Sequence, residues 1–369
     1  MKPILDVAIV GAGLSGLMLA DLLLSKNRNI EIYEARNRIG GRILTQSNPH
    51  AEQALDLGPT WIWPEQQPYV AKLVERLGLK LFRQWDGGHS LYQIDAHQGP
   101  SLYIDVETHM SARRIEGGCA QLVSGLSRSI PNSLIKLQHR LTRLTDCGSH
   151  IELEFATTNG IISIRARRAV LAVPPRLLAN QIEFRPALSD KLIQIMQATP
   201  TWMAAHAKAV LIYERPFWRD IGLSGNALLR YPSAVLSEVY DACATNADSA
   251  ALFGFFGLSA AMREYYRDQL EDLIIEQMTI LYGEAAANPL QILIQDWSQE
   301  PFTSSADDQV APTNHPAYGH PAFQLDHWQD KLHFCGSETA EHEGGYLEGA
   351  LVAAERTFST ITLSENLIS

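Results

Sequence analysis

Gly11-Ala12-Gly13-Leu14-Ser15-Gly16 fits the GxGxxG spacing at the junction between a short apolar run and an Ala- and Leu-rich segment. In that pattern the first glycine permits a tight turn, the second lets backbone N–H groups approach a pyrophosphate, and the third lets a helix pack on a strand. The pattern alone is weak, because a glycine-rich turn with no ligand would satisfy it. It gains weight from Glu34, which closes the next apolar run and stands where a carboxylate can accept hydrogen bonds from both ribose hydroxyls. An acid there also repels a 2′-phosphate, leaving FAD or NAD rather than NADP. Immediately beyond, Ala35-Arg36-Asn37-Arg38-Ile39-Gly40-Gly41-Arg42 offers a second clamp on a diphosphate, with Arg42 able to bond it bidentately. Arg36 and Arg38 read either as part of that clamp or as solvated surface charges. A third candidate is Lys208, inside the run Ala207–Tyr213. A lysine in so apolar a strand either snorkels outward or is buried with a partner, since an unpaired buried ammonium is costly.

The elements that must position these groups follow from apolar patterning. Ile4–Val10 and Ile30–Tyr33 read as buried parallel strands joined by a helix over Leu14–Ser25, which makes the opening segment a βαβ unit. A hairpin is expected from Ile151–Ala156 and Ile161–Arg165, and a separate strand over Ala169–Val173, ended by Pro174-Pro175. Helical patterns cover Asp190–Ala198 and Ser259–Tyr282, and strands Ala207–Tyr213 and Gln291–Trp297. Leu332–Cys335 reads as a short strand and Gly349–Phe358 as a helix, after a long loop over Ser298–Pro321. Composition narrows the partners. The net charge of −11 argues against nucleic acid and anionic membranes and suits cationic ligands. Cys119, Cys147, Cys243 and Cys335 show neither CxxC nor metal-ligand spacing, so free thiols in a reducing compartment, the cytoplasm, are expected and no metal is. No apolar run is long enough for a membrane anchor or signal peptide.

With these motifs in order along nearly the whole chain, the sequence resembles the flavin-containing amine oxidases. Leu55-Asp56-Leu57-Gly58-Pro59-Thr60-Trp61 is similar to the family's Asp-Leu-Gly-Gly element beside the flavin. Gly117-Gly118 with Leu122 resembles its Gly-Gly segment opening a helix, and Leu171-Ala172-Val173-Pro174-Pro175 its strand leading out of the FAD domain. Phe334-Cys335-Gly336-Ser337-Glu338 followed by Gly344-Gly345-Tyr346-Leu347-Glu348-Gly349-Ala350 is very close to the C-terminal FAD motif. The resemblance implies that Gly336, Ser337 and Glu338 lie along the cofactor, that Gly345, Tyr346 and Leu347 lie at the flavin ring, and that Leu141 and Val173 border it. A helix N-terminus at that ring stabilises the negative charge of reduced flavin. By the same match Lys208 holds a water against flavin N5, Tyr346 is one wall of an aromatic cage or else a core tyrosine, and Trp297 stands beside the flavin.

Departures from the family carry expectations of their own. Counting forward from Trp297 reaches Ala306 and Asp307, where monoamine oxidases place the flavin-bonding cysteine and a second cage tyrosine, so FAD is expected to be noncovalent. Asp307 and Glu343 read either as anchors for a distal ammonium or as loop carboxylates in water, and His342 as a structural residue. Trp85 to Glu116 is too short for the family's helical roof, and no membrane helix follows the last motif. The reading is thus an α/β protein. A Rossmann-like FAD-binding domain of the GR2 type comprises residues 1–75, 111–180 and 310–369, and an interleaved α+β substrate domain comprises 76–110 and 181–309. It would oxidise an amine C–N bond by hydride transfer to flavin N5, with hydrolysis of the imine and O2 as acceptor. Either a homo-oligomer or a partner subunit covers the open site, or the substrate is large and enters an open cleft, or the flavoprotein is a weak oxidase. The alternatives are a flavin desaturase or dehydrogenase acting on C–C bonds, and a noncatalytic FAD-binding assembly protein.

Overall fold

The computed structural model describes residues 3–103, 111–245, 250–325 and 327–366. The part of the shortened roof at 104–110 lies outside the described residues. Leu5–Val10 is buried along almost its whole length, which for so short a β-branched run is satisfied by a central parallel strand covered on both faces. It pairs in parallel with Ile30–Tyr33 on one side and with the end of Gly160–Leu171 on the other. Ile135–Lys136 extends this parallel core beyond Ile30–Tyr33, and Leu332–Phe334 pairs with the end of Gly160–Leu171. The sheet continues antiparallel through Ile151–Thr157 and Arg140–Asp146 and, with Glu183–Arg185 at its edge, has eight strands among the described residues. On one face the helix Leu14–Ser25 packs with the last helix, Leu347–Asn366, in a core containing Ile9, Leu17, Leu23, Leu351 and Ala354. The other face is covered by Leu144, Phe155, Leu171 and Phe334 with Leu192 and Met196.

Three features differ from the patterning. The expected separate strand over Ala169–Val173 is the end of one continuous strand, Gly160–Leu171, whose first part pairs with its hairpin neighbour while its last part enters the parallel core. The helical segment Ser259–Tyr282 is broken into Ala260–Tyr265 and Leu270–Tyr282. Its first turn is pinned by the Arg263 guanidinium to Asp296 and to the Leu258 and Ala205 carbonyls, while Ile274, Met278 and Leu281 follow the second sheet. Glu183–Arg185 joins the edge of the first sheet beside Arg140–Asp146, so that sheet runs past the expected boundary at residue 180.

Among the described residues the second sheet has seven strands, in the order Gln291–Asp296, Ala207–Tyr213, Ala250–Phe256, Leu236–Asp241, Leu223–Leu229, His89–Gln93, Ser101–Tyr103. Side chains alternate across it. Ala207, Ala209 and Leu211 enter a core with Trp218, Leu252, Ile274 and Met278. Val210, Ile212, Tyr240 and Phe253 face the other way, onto Leu55, Leu57 and Trp61 from the segment that follows the dinucleotide motif. By that alternation Lys208 belongs to the face turned toward the first half of the chain. Register extends the pattern, since Lys208 lies opposite Phe255 and Phe255 opposite Glu238.

Candidate active site

Between the two sheets lies a cavity of about 580 Å³, bordered by residues of both, a volume in the range of small-molecule sites. Every expected cofactor residue borders it except Gly16 and Glu338. Gly16 is packed instead, because a Cβ there would stand 2.0 Å from the Gly11 carbonyl oxygen. Gly11 itself turns the chain at φ +100°, a left-handed conformation that favours glycine. Glu338 is fully buried. Its carboxylate accepts from Arg42 Nη1 at 2.5 Å and Nη2 at 3.1 Å, from Ser337 Oγ at 3.0 Å and from the Trp202 N–H at 3.3 Å. The fork of Arg42 is turned onto Glu338 and Ser337, and Arg42 also borders the cavity.

At the first-sheet end Glu34 is buried, with Oε2 accepting from the Ala12 N–H at 2.8 Å and Oε1 from the Arg36 N–H at 2.9 Å. Arg36 is not a solvated charge. Its Nη2 donates to Thr303 Oγ1 at 2.7 Å and to Glu300 at 3.3 Å, and its guanidinium lies over the Phe302 ring. Arg38 donates to the Ile39 and Ile43 carbonyls and does not border the cavity.

Lys208 is buried, so the outward orientation is excluded. Its Nζ donates to the Gly58 carbonyl at 3.2 Å and to Thr60 Oγ1, and lies 4.1 Å from the Phe253 ring centroid. Burial pushes its pKa down to about 7, opposed by the attraction of Asp56. Asp56, buried in turn, accepts from Thr45 Oγ1 and from the Cys119 N–H, while desolvation pushes its carboxyl up. Trp297 is fixed by a hydrogen bond from Nε1 to the Leu57 carbonyl at 3.1 Å. Tyr346 stacks on His315 at 4.8 Å between centroids and meets the Trp202 ring at a steep angle.

The sequence reading missed Trp63, Trp202, His206, Glu238 and Phe255, all on the cavity wall. Glu238 stands beside Val239 and Tyr240 in a strand that also holds Ser237 and Asp241, and nothing in the sequence gives its register. Asp307 and Glu343 are exposed and do not border the cavity, and Asp307 bonds Asn180. Their proposed contact with a distal ammonium is therefore not made from this wall. His342 is exposed as well.

A family model described as flavin containing amine oxidoreductase matches residues 14–109 and 96–358. The chain belongs to this family. It is similar to flavin-containing amine oxidase A of Equus caballus, 22% identical over 95% of this chain and 84% of that protein, and to amine oxidase B of Sus scrofa, 23% identical over 95% and 85%. The first of these alignments runs over 457 positions against 369 residues here, so the relative carries segments with no counterpart in this chain. Among solved structures, wild-type putrescine oxidase bound to putrescine superposes with a TM-score of 0.79 at 21% identity, over 98% of this chain and 99% of that one. Cyclohexylamine oxidase from Brevibacterium oxydans superposes with a TM-score of 0.81 at 20% identity, over all of both chains.

This family member is an amine oxidase that uses FAD. The residues present fit that cofactor. A Cβ built on Gly13 meets no atom within 4 Å, so this glycine opens directly onto the cavity. The helix beginning at Leu14 has neither a side-chain cap nor an acid in its first turn, which leaves its N–H groups and positive dipole end for a diphosphate. Glu34, with two N–H donors already fixing its carboxylate, keeps lone pairs for ribose hydroxyls. Replacing Glu34 with Ala is expected to weaken FAD binding by about 1.5–3 kcal/mol for each lost charge-assisted hydrogen bond. Fluorescence titration of apoprotein with FAD measures this, and an unchanged Kd would place the ribose elsewhere.

Proposed function

We propose that this oxidase acts on an amine with dioxygen as electron acceptor and holds its FAD without a covalent bond. The observation carrying the reading is the buried Lys208 ammonium on the cavity wall. In the overall reaction the amine loses two electrons and two protons to become an imine. Water hydrolyses the imine to a carbonyl compound and ammonia, and dioxygen takes up the two electrons and two protons as hydrogen peroxide. FAD, when bound, supplies the two-electron acceptor that receives the hydride from the carbon bearing nitrogen.

The chain's own residues do the rest. An ammonium has three donors, and Lys208 spends two on Gly58 and Thr60, leaving one for a water or for the charge that develops on dioxygen as it is reduced. With its pKa lowered to about 7, Lys208 is divided between charged and neutral forms near neutrality. Tyr346, stacked on His315 and braced by Trp202, presents a fixed aromatic wall for an uncharged amine. Trp61, whose Nε1 donates to Gln84 Oε1 at 2.8 Å, forms another rigid part of the enclosure. Supporting noncovalent binding, no cysteine borders the cavity. Cys119, Cys243 and Cys335 are buried elsewhere, Cys147 is exposed, and Ala306 is exposed.

Acid precipitation is expected to release all of the flavin into the supernatant, and flavin remaining on the pellet would contradict noncovalent binding. Substrate amine should bleach the flavin anaerobically, and air should restore it with one peroxide formed per amine consumed. Lys208→Met keeps the length and apolar stem but removes the donors. It should retain FAD and lose reoxidation rate by about 10-fold or more, as removal of an electrostatic stabiliser does, with flavin reduction slowed less. Stopped-flow reoxidation at the wild-type rate would overturn the role of Lys208 and favour a carrier other than dioxygen.

A further inference from the structure

The groups that set the charge of Lys208 stand behind the cavity wall. Across its own sheet Phe253 and Phe255 offer ring faces, and Glu238 lies in register two strands away. The segment that supplies Gly58 and Thr60 also carries Asp56, while the strand Arg113–Ile115 and the turn after it carry Arg114 and Cys119. Asp56, Arg114 and Cys119 are buried, act on Lys208 electrostatically, and do not border the cavity. Burial pushes the Cys119 thiol well above its ordinary range, so it stays uncharged. The Arg114 guanidinium donates to the Ala242 and Cys243 carbonyls, at 3.1 and 2.9 Å. Asp56 is thus the anion of this cluster.

Its carboxylate is held in a built position. Asp56 pairs in register with Thr45, whose hydroxyl donates to Oδ1 and in turn accepts from the Ala120 N–H at 3.1 Å. The same Oδ1 accepts from the Cys119 N–H at 3.0 Å. Both N–H groups belong to the start of the helix Ala120–Ser127, whose first turn holds no acid, so the positive end of that helix faces Asp56. Gly118 permits the approach. At φ +79°, a Cβ there would stand 2.5 Å from Thr45 Cγ2 and 2.8 Å from Asp56 Oδ1. The donors on Oδ1 are uncharged, so they fix the carboxylate without neutralising it.

We propose that Asp56 is the counter-ion that keeps Lys208 protonated, a positioning residue that governs flavin reoxidation from behind the wall without touching cofactor or substrate. Asp56 has this role only if Lys208 assists dioxygen reduction, so the assignment rests on that reading. A fixed anion favours the ammonium, whereas desolvation and the charge of Arg114 oppose it. Removing the anion therefore empties the charged form of Lys208 at neutral pH, and removing the Arg114 charge fills it.

The test is the pH profile of flavin reoxidation by dioxygen in the FAD-loaded enzyme, followed by stopped flow after anaerobic reduction. Asp56→Asn keeps an oxygen for Thr45 and Cys119 but removes the charge. Its inflection should fall about one pH unit below that of wild type, which lowers the rate at neutral pH by about 5-fold. Asp56→Glu restores the charge and should return the inflection toward the wild-type position. Arg114→Gln, still able to donate to a carbonyl, should move the inflection upward, and a downward move would mark general damage and overturn the assignment. An Asn variant that keeps the wild-type inflection, or that is slowed evenly at every pH, would overturn it while leaving Lys208 its role. If the Asn variant does not hold FAD, Thr45→Val decides. That change strips one donor from the carboxylate and should lower the inflection by less, and an unmoved inflection would overturn the assignment. A wild-type profile lacking an inflection that Lys208→Met abolishes would overturn the Lys208 reading and this assignment with it.

Discussion

Burying one ammonium shapes this molecule more than any other single requirement. Lys208 sits in a strand of Ala, Val, Leu and Ile, and taking its charge out of water is tolerable only where acceptors and aromatic faces replace the lost hydration. The Gly58 carbonyl and Thr60 hydroxyl come from the segment that leaves the dinucleotide motif, and Phe253 from the neighbouring strand. Satisfying the lysine therefore draws the second sheet onto the first half of the chain. Asp56, two residues before Gly58, adds the opposing charge. The cavity is what remains between the two sheets.

The cofactor end is built on a different economy. Its charged groups are largely satisfied within the protein, Glu34 by backbone donors and Arg42 by Glu338. What this end offers a dinucleotide includes an uncapped helix start, an open glycine face, and the spare lone pairs of one fixed carboxylate. The substrate end instead combines rigid aromatic walls with two side chains of opposite charge.

How far the sequence could be read depended on whether a group's partner lay nearby in the chain. Leu14–Ser25, Asp190–Ala198 and Ala207–Tyr213 were legible because the length and composition of each apolar segment match the element that it forms. The GxGxxG turn and Glu34 were legible because spacing within a βαβ unit fixes them. Glu238 was not, since its place opposite Phe255 depends on a pairing between strands that no local pattern encodes. The pairing of Arg42 with Glu338, nearly three hundred residues on, was hidden for the same reason. The break within Ser259–Tyr282 has no glycine or proline to announce it, and the partners that hold Arg263, Ala205 and Asp296, lie far from it in the sequence.

The most direct measurement of the central claim is the pH dependence of flavin reoxidation by dioxygen, followed by stopped flow after anaerobic reduction. If a charged Lys208 assists that step, the rate constant is highest where the ammonium is protonated and falls as pH rises through about 7, the value to which burial lowers its pKa. In Lys208→Met the profile should be low and flat across the same window. A wild-type profile with no inflection near 7, or one that the Met variant reproduces, would contradict the account.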